Sequence, residues 1–229
     1  MATISRLHVR ACVFDAYGTL FDFASAAARV SDILGDKTAA VSSLWRDKQL
    51  QYTWLRALQG RHAPFMQVTA DALDFVLDTF GIADASARER LLAAYRTLEC
   101  FPEVPGVLDR LKSAGFKTAI LSNGTRDMLS DAMAAAGITR YIDLALSVDE
   151  VGVFKTHPRV YQLAVDRLQV PASMIAFQSS NGWDAYAASD FGMRVVWCNR
   201  YSQKPERLPG SPDLVVPSLA DLPGLLELA

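Results

Sequence analysis

The sequence predicts an α/β fold, a doubly wound and mainly parallel sheet with a helical cap subdomain inserted after its first strand. Three observations lead there. The run Ala11-Cys12-Val13-Phe14 is apolar on both faces and breaks at once into Asp15-Ala16-Tyr17-Gly18-Thr19, the pattern of a buried parallel strand that ends in a polar turn. From Asp22 to about Leu98 apolar residues recur at helical spacing instead. Beyond Pro105 strand and helix patterns alternate to the end of the chain, and such alternation builds a parallel sheet with helices on its faces.

Taken in order, the helical block contains SDILGD, SSLWRDKQLQYTWLRAL, ADALDFVLDTF and ARERLLAAYRTL, punctuated by Gly35, Gly60 and Gly81. Trp45, Trp54, Phe65, Phe75 and Phe80 fall on its helical stripes and are expected to form its core, with one or two of them open to face the pocket. After Phe101-Pro102-Glu103-Val104-Pro105 come helix VLDRLKSAG, strand KTAILSN, helix DMLSDAMAAAG, strand DLALSV and helix PRVYQLAVDRL. Strand SMIAFQSS, helix WDAYAASDFG, strand MRVVWCN, a short strand DLVV and a terminal helix near LADLPGLLEL follow. The expected division is therefore a core domain of residues 1–21 and 100–229, with residues 22–99 as a cap over the carboxyl edge of the sheet, where open α/β folds place their ligands.

Composition narrows the classes of function. With 229 residues, 51% hydrophobic and 21% charged, the chain can bury a sizeable core. A formal net charge of -2 offers no basic excess for a nucleic-acid backbone or an anionic membrane surface, so small-molecule partners are expected. Cys12, Cys100 and Cys198 are far apart and lack metal or disulfide spacing, which fits a reducing cytoplasm. MATISRLHVR has no apolar signal core, and no stretch approaches the ~20 apolar residues that span a bilayer.

Chemistry-bearing residues cluster at four predicted strand ends: Asp15 to Thr19, Ser122-Asn123-Gly124-Thr125, Lys155-Thr156-His157-Pro158, and Ser179 to Asp184. Parallel strands bring such ends together. The order of Asp, Ser/Thr, Lys and Asp clusters, with helices directly after the first, resembles the haloacid dehalogenase superfamily over nearly the whole chain. That resemblance implies a HAD-like Rossmannoid core. Within it, DAYGTLFD, LWRDKQLQYTW, LSNGT, KTHPRVY and SSNGWD resemble the signatures of the type II L-2-haloacid dehalogenases.

Two departures from the superfamily pattern carry weight. Its phosphatases have a second Asp two residues after the nucleophile and a metal-binding Asp in the fourth motif, where this chain has Tyr17 and Ser180. Magnesium is held by carboxylates, so no metal and no cofactor are expected. Asp15 and Asp184 against Lys155 and Arg46 make a nearly neutral site. A phosphate dianion near Asp15 would meet repulsions of roughly 4 kcal/mol each at ~4 Å and an effective dielectric of ~20. A monoanionic 2-halocarboxylate suits such a site better.

The resemblance implies the following roles. Asp15 would be the nucleophile that attacks C2 with inversion, giving an ester and releasing halide, and Thr19 would orient its carboxylate. Arg46 and Asn123 would receive the halide, since a developing anion needs preorganised donors. Ser122 would help hold the substrate carboxylate, and Lys155 would pair with Asp15 and keep it ionised. Tyr161, Ser179 and Asn181 would build the hydrogen-bond network, Asp184 would help to activate the hydrolytic water, and Tyr17 and Trp183 would line an apolar pocket. The product would be a 2-hydroxy acid, of D configuration from an L-halide, made by a homodimer. The alternatives are a superfamily phosphatase acting on a small phosphate ester, hydrolytic opening of a strained ring acid, and a silent module that kept the fold. His157 reads as a helix N-terminal residue rather than a base, and Asp22 and Asp47 as capping or exposed residues. Gln178 interrupts an otherwise apolar strand, and a buried amide without partners costs roughly 1–3 kcal/mol.

Overall fold

The computed structural model describes residues 9–227, so the readings that rest on residues 1–8 lie outside the described residues. Strands β1 (Ala11–Phe14), β2 (Lys117–Ser122), β3 (Leu144–Ser147), β4 (Ile175–Ser179), β5 (Arg194–Cys198) and β6 (Leu214–Val216) form one sheet in the order β3-β2-β1-β4-β5-β6. Each of its pairings is parallel. The chain winds outward from β1 to β3, then returns to the other side of β1 for β4 to β6. Such a reversal opens a crevice at the carboxyl ends of the central strands, and Asp15 lies there, directly after β1.

All four residues of β1 are buried, as expected of a strand covered on both faces. Register places Phe14 beside Ile120 of β2 and Gln178 of β4. The flanking helices of the core are α6 (Val104–Ser113), α7 (Arg126–Ala135), α8 (Pro158–Leu168), α9 (Gly182–Asp190) and α10 (Leu222–Leu225). Pro158 opens α8, where its missing N–H costs nothing, and the His157 ring accepts from the Arg159 N–H at 3.2 Å. His157 thus caps α8, as its position predicts. The terminal reading LADLPGLLEL is shorter than expected, a 3-10 turn at Leu219–Asp221 and the single turn α10, because Pro223 and Gly224 fall inside it.

Between β1 and α6 lie five helices: α1 (Ala24–Ala28), α2 (Ser31–Leu34), α3 (Thr38–Leu58), α4 (Phe65–Phe80) and α5 (Ala85–Arg96). The SDILGD stretch yields only the one turn of α2 before a 3-10 turn at Gly35–Lys37. Gly81 closes α4 at φ 63°, a conformation that glycine adopts without strain. The Asp84 carboxylate caps α5 by accepting from the Ser86 and Ala87 N–H groups. The segments that leave and re-enter the sheet pair with each other, through Asp22 N to Glu99 O at 2.8 Å and Phe101 N to Leu20 O at 3.0 Å. Trp45 and Phe65 are buried as expected, but Trp54 and Phe75 are 37% and 39% exposed. Helical spacing defines a stripe without saying what covers it: Trp54 meets the Trp183 ring edge-on at 5.6 Å, and the Lys48 ammonium lies over the Phe75 ring at 4.2 Å.

Candidate active site

Asp15 follows β1 and is 5% exposed. Its Oδ2 accepts from Thr19 Oγ1 at 3.0 Å and from Asn181 Nδ2 at 2.8 Å, and its Oδ1 from Lys155 Nζ at 2.9 Å. The turn that carries Thr19 passes through Gly18 at φ 88°, a geometry suited to glycine. A Cβ there would only touch Arg46 and Ser180 at ordinary contact distance, so it is the backbone conformation that calls for glycine. Ser180 completes this corner: its N–H donates to Thr19 Oγ1 at 2.8 Å and its hydroxyl to the Gly18 carbonyl. At sequence level Ser180 stood out only for the acid it replaces, and its partners across the sheet leave no local pattern.

Lys155 is 1% exposed and joins two carboxylates, because Nζ also donates to Asp184 Oδ2 at 2.7 Å. Tyr161 donates from α8 to Asp184 Oδ1 at 2.7 Å. Burial alone would pull the Lys155 pKa down, but Asp15 and Asp184 together hold it above the ordinary lysine value. Asp184 behaves in the opposite sense. Burial pushes its carboxyl up, and Lys155 offsets this only in part because Asp15 opposes it. The two directions agree once the charges are counted: one ammonium faces two carboxylates, so the cation is doubly supported while the anions share one partner and repel each other. The Tyr161 phenol is held well above its usual range by burial and then by Asp184, and so remains a donor.

Arg46 of α3 donates to Asn181 Oδ1 and lies over the Phe23 ring at 4.0 Å. Through Asn181 this residue of the inserted helices is linked to Asp15. Asn123 Oδ1 accepts from the Lys155 N–H at 3.0 Å, which fixes which way its amide faces. Ser122 Oγ accepts from the Gly124 N–H at 3.0 Å, and Ser179 Oγ from the Asn181 N–H at 3.1 Å. Both serines therefore shape the turns that present their neighbours. Tyr17 stacks on Tyr95 at 5.4 Å and tilts against Phe65 at 5.8 Å, forming an apolar wall between sheet and cap. Its buried hydroxyl has no partner among the described residues, and it leaves no room for a side chain at Gly124, whose Cβ would come within 2.8 Å of the ring. Trp183 is set apart from this cluster, packed edge-on against Trp54 at 5.6 Å beside an outer groove with Pro158 and Leu208.

The donor set does not fit a divalent cation. Lys155 Nζ binds both carboxylates, the Tyr17 ring faces apolar neighbours, and the Ser180 hydroxyl is turned to a backbone carbonyl. Among the described residues no group of three or more His, Cys, Asp or Glu could hold a metal ion.

A buried carboxylate presented by a strand end, fixed by hydrogen bonds and balanced by an ammonium, is arranged for nucleophilic attack. Residues 9–192 match the family model of the haloacid dehalogenase-like hydrolases. The chain belongs to this family. Over 220 residues, 95% of this chain and 96% of the relative, it is 46% identical to (S)-2-haloacid dehalogenase 1 of Pseudomonas sp. (strain CBS-3). It is 45% identical to (S)-2-haloacid dehalogenase 4A of Burkholderia cepacia over 86% of each chain. Among solved structures it matches L-2-haloacid dehalogenase from Xanthobacter autotrophicus with chloropropionic acid covalently bound, at TM-score 0.89 and 39% identity over 95% of this chain and 98% of that one. The haloacid dehalogenase-like sheet accounts for the convergence of Asp15, Lys155, Asn181 and Asp184 from separate strand ends. Arg46 is the contribution of the inserted helices to the same network.

Proposed function

We propose that this protein hydrolyses small L-2-haloalkanoic acids to D-2-hydroxy acids, acting as an (S)-2-haloacid dehalogenase through an ester on Asp15. The observation that carries this reading is Lys155, seated between Asp15 and Asp184 at 2.9 and 2.7 Å. It balances an anionic nucleophile without a divalent ion, which suits displacement at carbon better than transfer of a phosphate dianion. In the first step an Asp15 carboxylate oxygen attacks C2 from the face opposite the halogen; the C–O bond forms, the carbon–halogen bond breaks, and halide leaves with the bonding electrons. Thr19 and Asn181 hold Oδ2, leaving the carboxylate little rotational freedom to lose. Arg46 and Asn123 receive the halide, Ser122 holds the substrate carboxylate, and Tyr17 bounds the pocket around the substrate carbon, whereas the Trp183 ring, turned to Trp54, does not reach it.

Esterification removes the charge of Asp15. Lys155 is then left to pair with Asp184 alone, so the repulsion that pushed the Asp184 carboxyl up disappears and Asp184 is favoured as an anion. In that state, with Tyr161 donating to it, it takes a proton from the water that attacks the ester carbonyl carbon, and Ser179 keeps Asn181 in place. Cleavage of the acyl C–O bond, with the proton held by Asp184 passed to the departing alkoxide oxygen and the second proton of the water lost to solvent, restores the Asp15 carboxylate and releases the 2-hydroxy acid. No cofactor enters these steps.

Residues 22–99 would act as a cap subdomain on a core of residues 1–21 and 100–229, joined by the paired segments at Leu20–Asp22 and Glu99–Phe101. We place the protein in the cytoplasm: Cys12, Cys100 and Cys198 are free, and no described helix is long and apolar enough to cross a membrane. The proposed assembly is a homodimer through α3 and α4, supported by the exposed Trp54, Leu55, Leu58 and Phe75. Sedimentation of Leu58→Glu should then show a monomer.

The direct test is halide release from L- and D-2-chloropropionate in the presence of EDTA, with the handedness of the product determined. Release from the L acid alone, giving D-lactate, is expected. Turnover of p-nitrophenyl phosphate with Mg²⁺, but not of either chloropropionate, would make the protein a phosphatase instead.

A further inference from the structure

Arg200 lies two residues beyond β5 and takes no part in the chemistry described above, yet its side chain is only 9% exposed and reaches the turn that carries Asp15. One terminal nitrogen donates to the Thr19 carbonyl at 2.9 Å, and the other pairs with Glu103 at 2.6 Å. The guanidinium plane covers the Phe101 ring at 3.8 Å, and Glu103 also accepts from Ser218 Oγ at 3.1 Å. Asn199 fixes where this arm starts, through Asn199 N to Val216 O at 2.7 Å and a two-way side-chain clasp on Gln203 at 2.8 Å.

These contacts bear on Asp15 through one residue. Thr19 offers its hydroxyl to Asp15 Oδ2 and its carbonyl to Arg200, while the preceding Gly18 carbonyl is taken by Ser180. Two consecutive carbonyls are thus held from different directions, which sets the peptide planes of the turn and with them the direction of the Thr19 hydroxyl. The other end of the arm grips Phe101 and Glu103, on the segment whose Phe101 N–H bonds the Leu20 carbonyl. Because Glu103 neutralises Arg200, the guanidinium adds a rigid fork rather than net charge to the site.

We propose that Arg200 is a positioning residue: it clamps the Asp15 turn to the segment by which the chain returns from α5, and so sets the aim of the nucleophile. This rests on Asp15 being the nucleophile. A misplacement of about 1 Å at a reacting group costs on the order of 100-fold in rate, so losing the clamp should lower the rate of ester formation far more than substrate binding.

The test is single-turnover halide release with excess enzyme and L-2-chloropropionate, with isolation of the Asp15 ester and a thermal melt, for R200K, R200M and E103Q. R200K and R200M should form the ester roughly 10- to 100-fold more slowly, with the half-saturating enzyme concentration changed less than about threefold. Added guanidinium ion should speed R200M and leave the wild type unchanged. E103Q, whose amide oxygen still accepts from Arg200 and which keeps the bond to Thr19, so that both ends of the clamp survive, should stay within about threefold of the wild type. A folded R200K or R200M that forms the ester at the wild-type rate overturns the proposal, as does a loss confined to substrate affinity. Should R200M not fold, R200K decides the matter. A wild-type enzyme that releases halide without any Asp15 ester would instead remove Asp15 from its role, and the clamp with it.

Discussion

Replacing Lys155 with methionine keeps an apolar stem of similar length and removes the ammonium between two buried carboxylates. At 2.9 and 2.7 Å, each attraction is worth roughly 6 kcal/mol at an effective dielectric of about 20, most of it offset by the cost of burying three charges. The net cost of breaking such a buried pair is about 3–5 kcal/mol. The variant escapes part of this by binding a proton, so its carboxylate pair acquires a folded pKa above the unfolded value near 3.9. A group with a raised folded pKa contributes stability that is complete below the unfolded pKa and is lost as pH climbs through the folded one. The deficit of Lys155→Met should therefore be small near pH 5 and reach about 3–5 kcal/mol by pH 8. In the wild type two groups are raised: Lys155, whose contribution is complete below its unfolded pKa and lost only at more alkaline pH, and Asp184, whose contribution is complete below the unfolded carboxyl value and lost as pH climbs through its folded pKa. Urea denaturation of both proteins at pH 5 and pH 8 measures the difference, and halide release should fall by at least about 10²-fold. A deficit below about 1 kcal/mol that is equal at both pH values would refute the charge arrangement described for this site.

Other substitutions separate the remaining roles. Asp184→Asn should still release one halide per site but hydrolyse the ester slowly, so that mass spectrometry of the quenched protein finds Asp15 carrying the acyl-linked substrate; a free Asp15 would assign the water step elsewhere. Gly124→Ala puts a methyl group within 2.8 Å of the Tyr17 ring and should cost about 1–3 kcal/mol of stability while raising KM; an unchanged melt and KM would show that the ring is free to move aside. Gln178→Leu should raise stability by about 1 kcal/mol in thermal melts, since its fully buried amide has no partner among the described residues. A loss there would mean that the amide is satisfied in solution.

The legible parts of this protein are those where one physical rule acts along a short stretch. Buried parallel strands are continuous apolar runs, so β1, β2, β4 and β5 stand out. The register of parallel strands then lets four strand-end clusters be read as one site, and Asp15, Lys155, Asn181 and Asp184 do meet there. The five-residue α1 escaped notice because its Ala-Ser-Ala-Ala-Ala run is too short for a helical period. Spacing also could not tell that Trp54 and Phe75 stay partly exposed. The roles of Ser180, Gly124 and Arg200 depend on the Gly18 carbonyl, the Tyr17 ring and the Thr19 carbonyl. A backbone carbonyl is the same for every residue type, so a partner to it leaves no trace in sequence. Trp183 illustrates the reverse case, a residue adjacent in sequence to Asp184 whose ring packs against Trp54 instead.

The most direct measurement of the covalent mechanism is a single turnover of L-2-chloropropionate, with enzyme in excess, in water enriched in heavy oxygen. Attack of Asp15 on C2 puts a protein oxygen into the product, and water then replaces it in the carboxylate, so the label should appear in the peptide that contains Asp15 while the first D-lactate carries none at its hydroxyl. Label in the lactate hydroxyl on that first turnover, with Asp15 unlabelled, would mean that water attacks C2 directly.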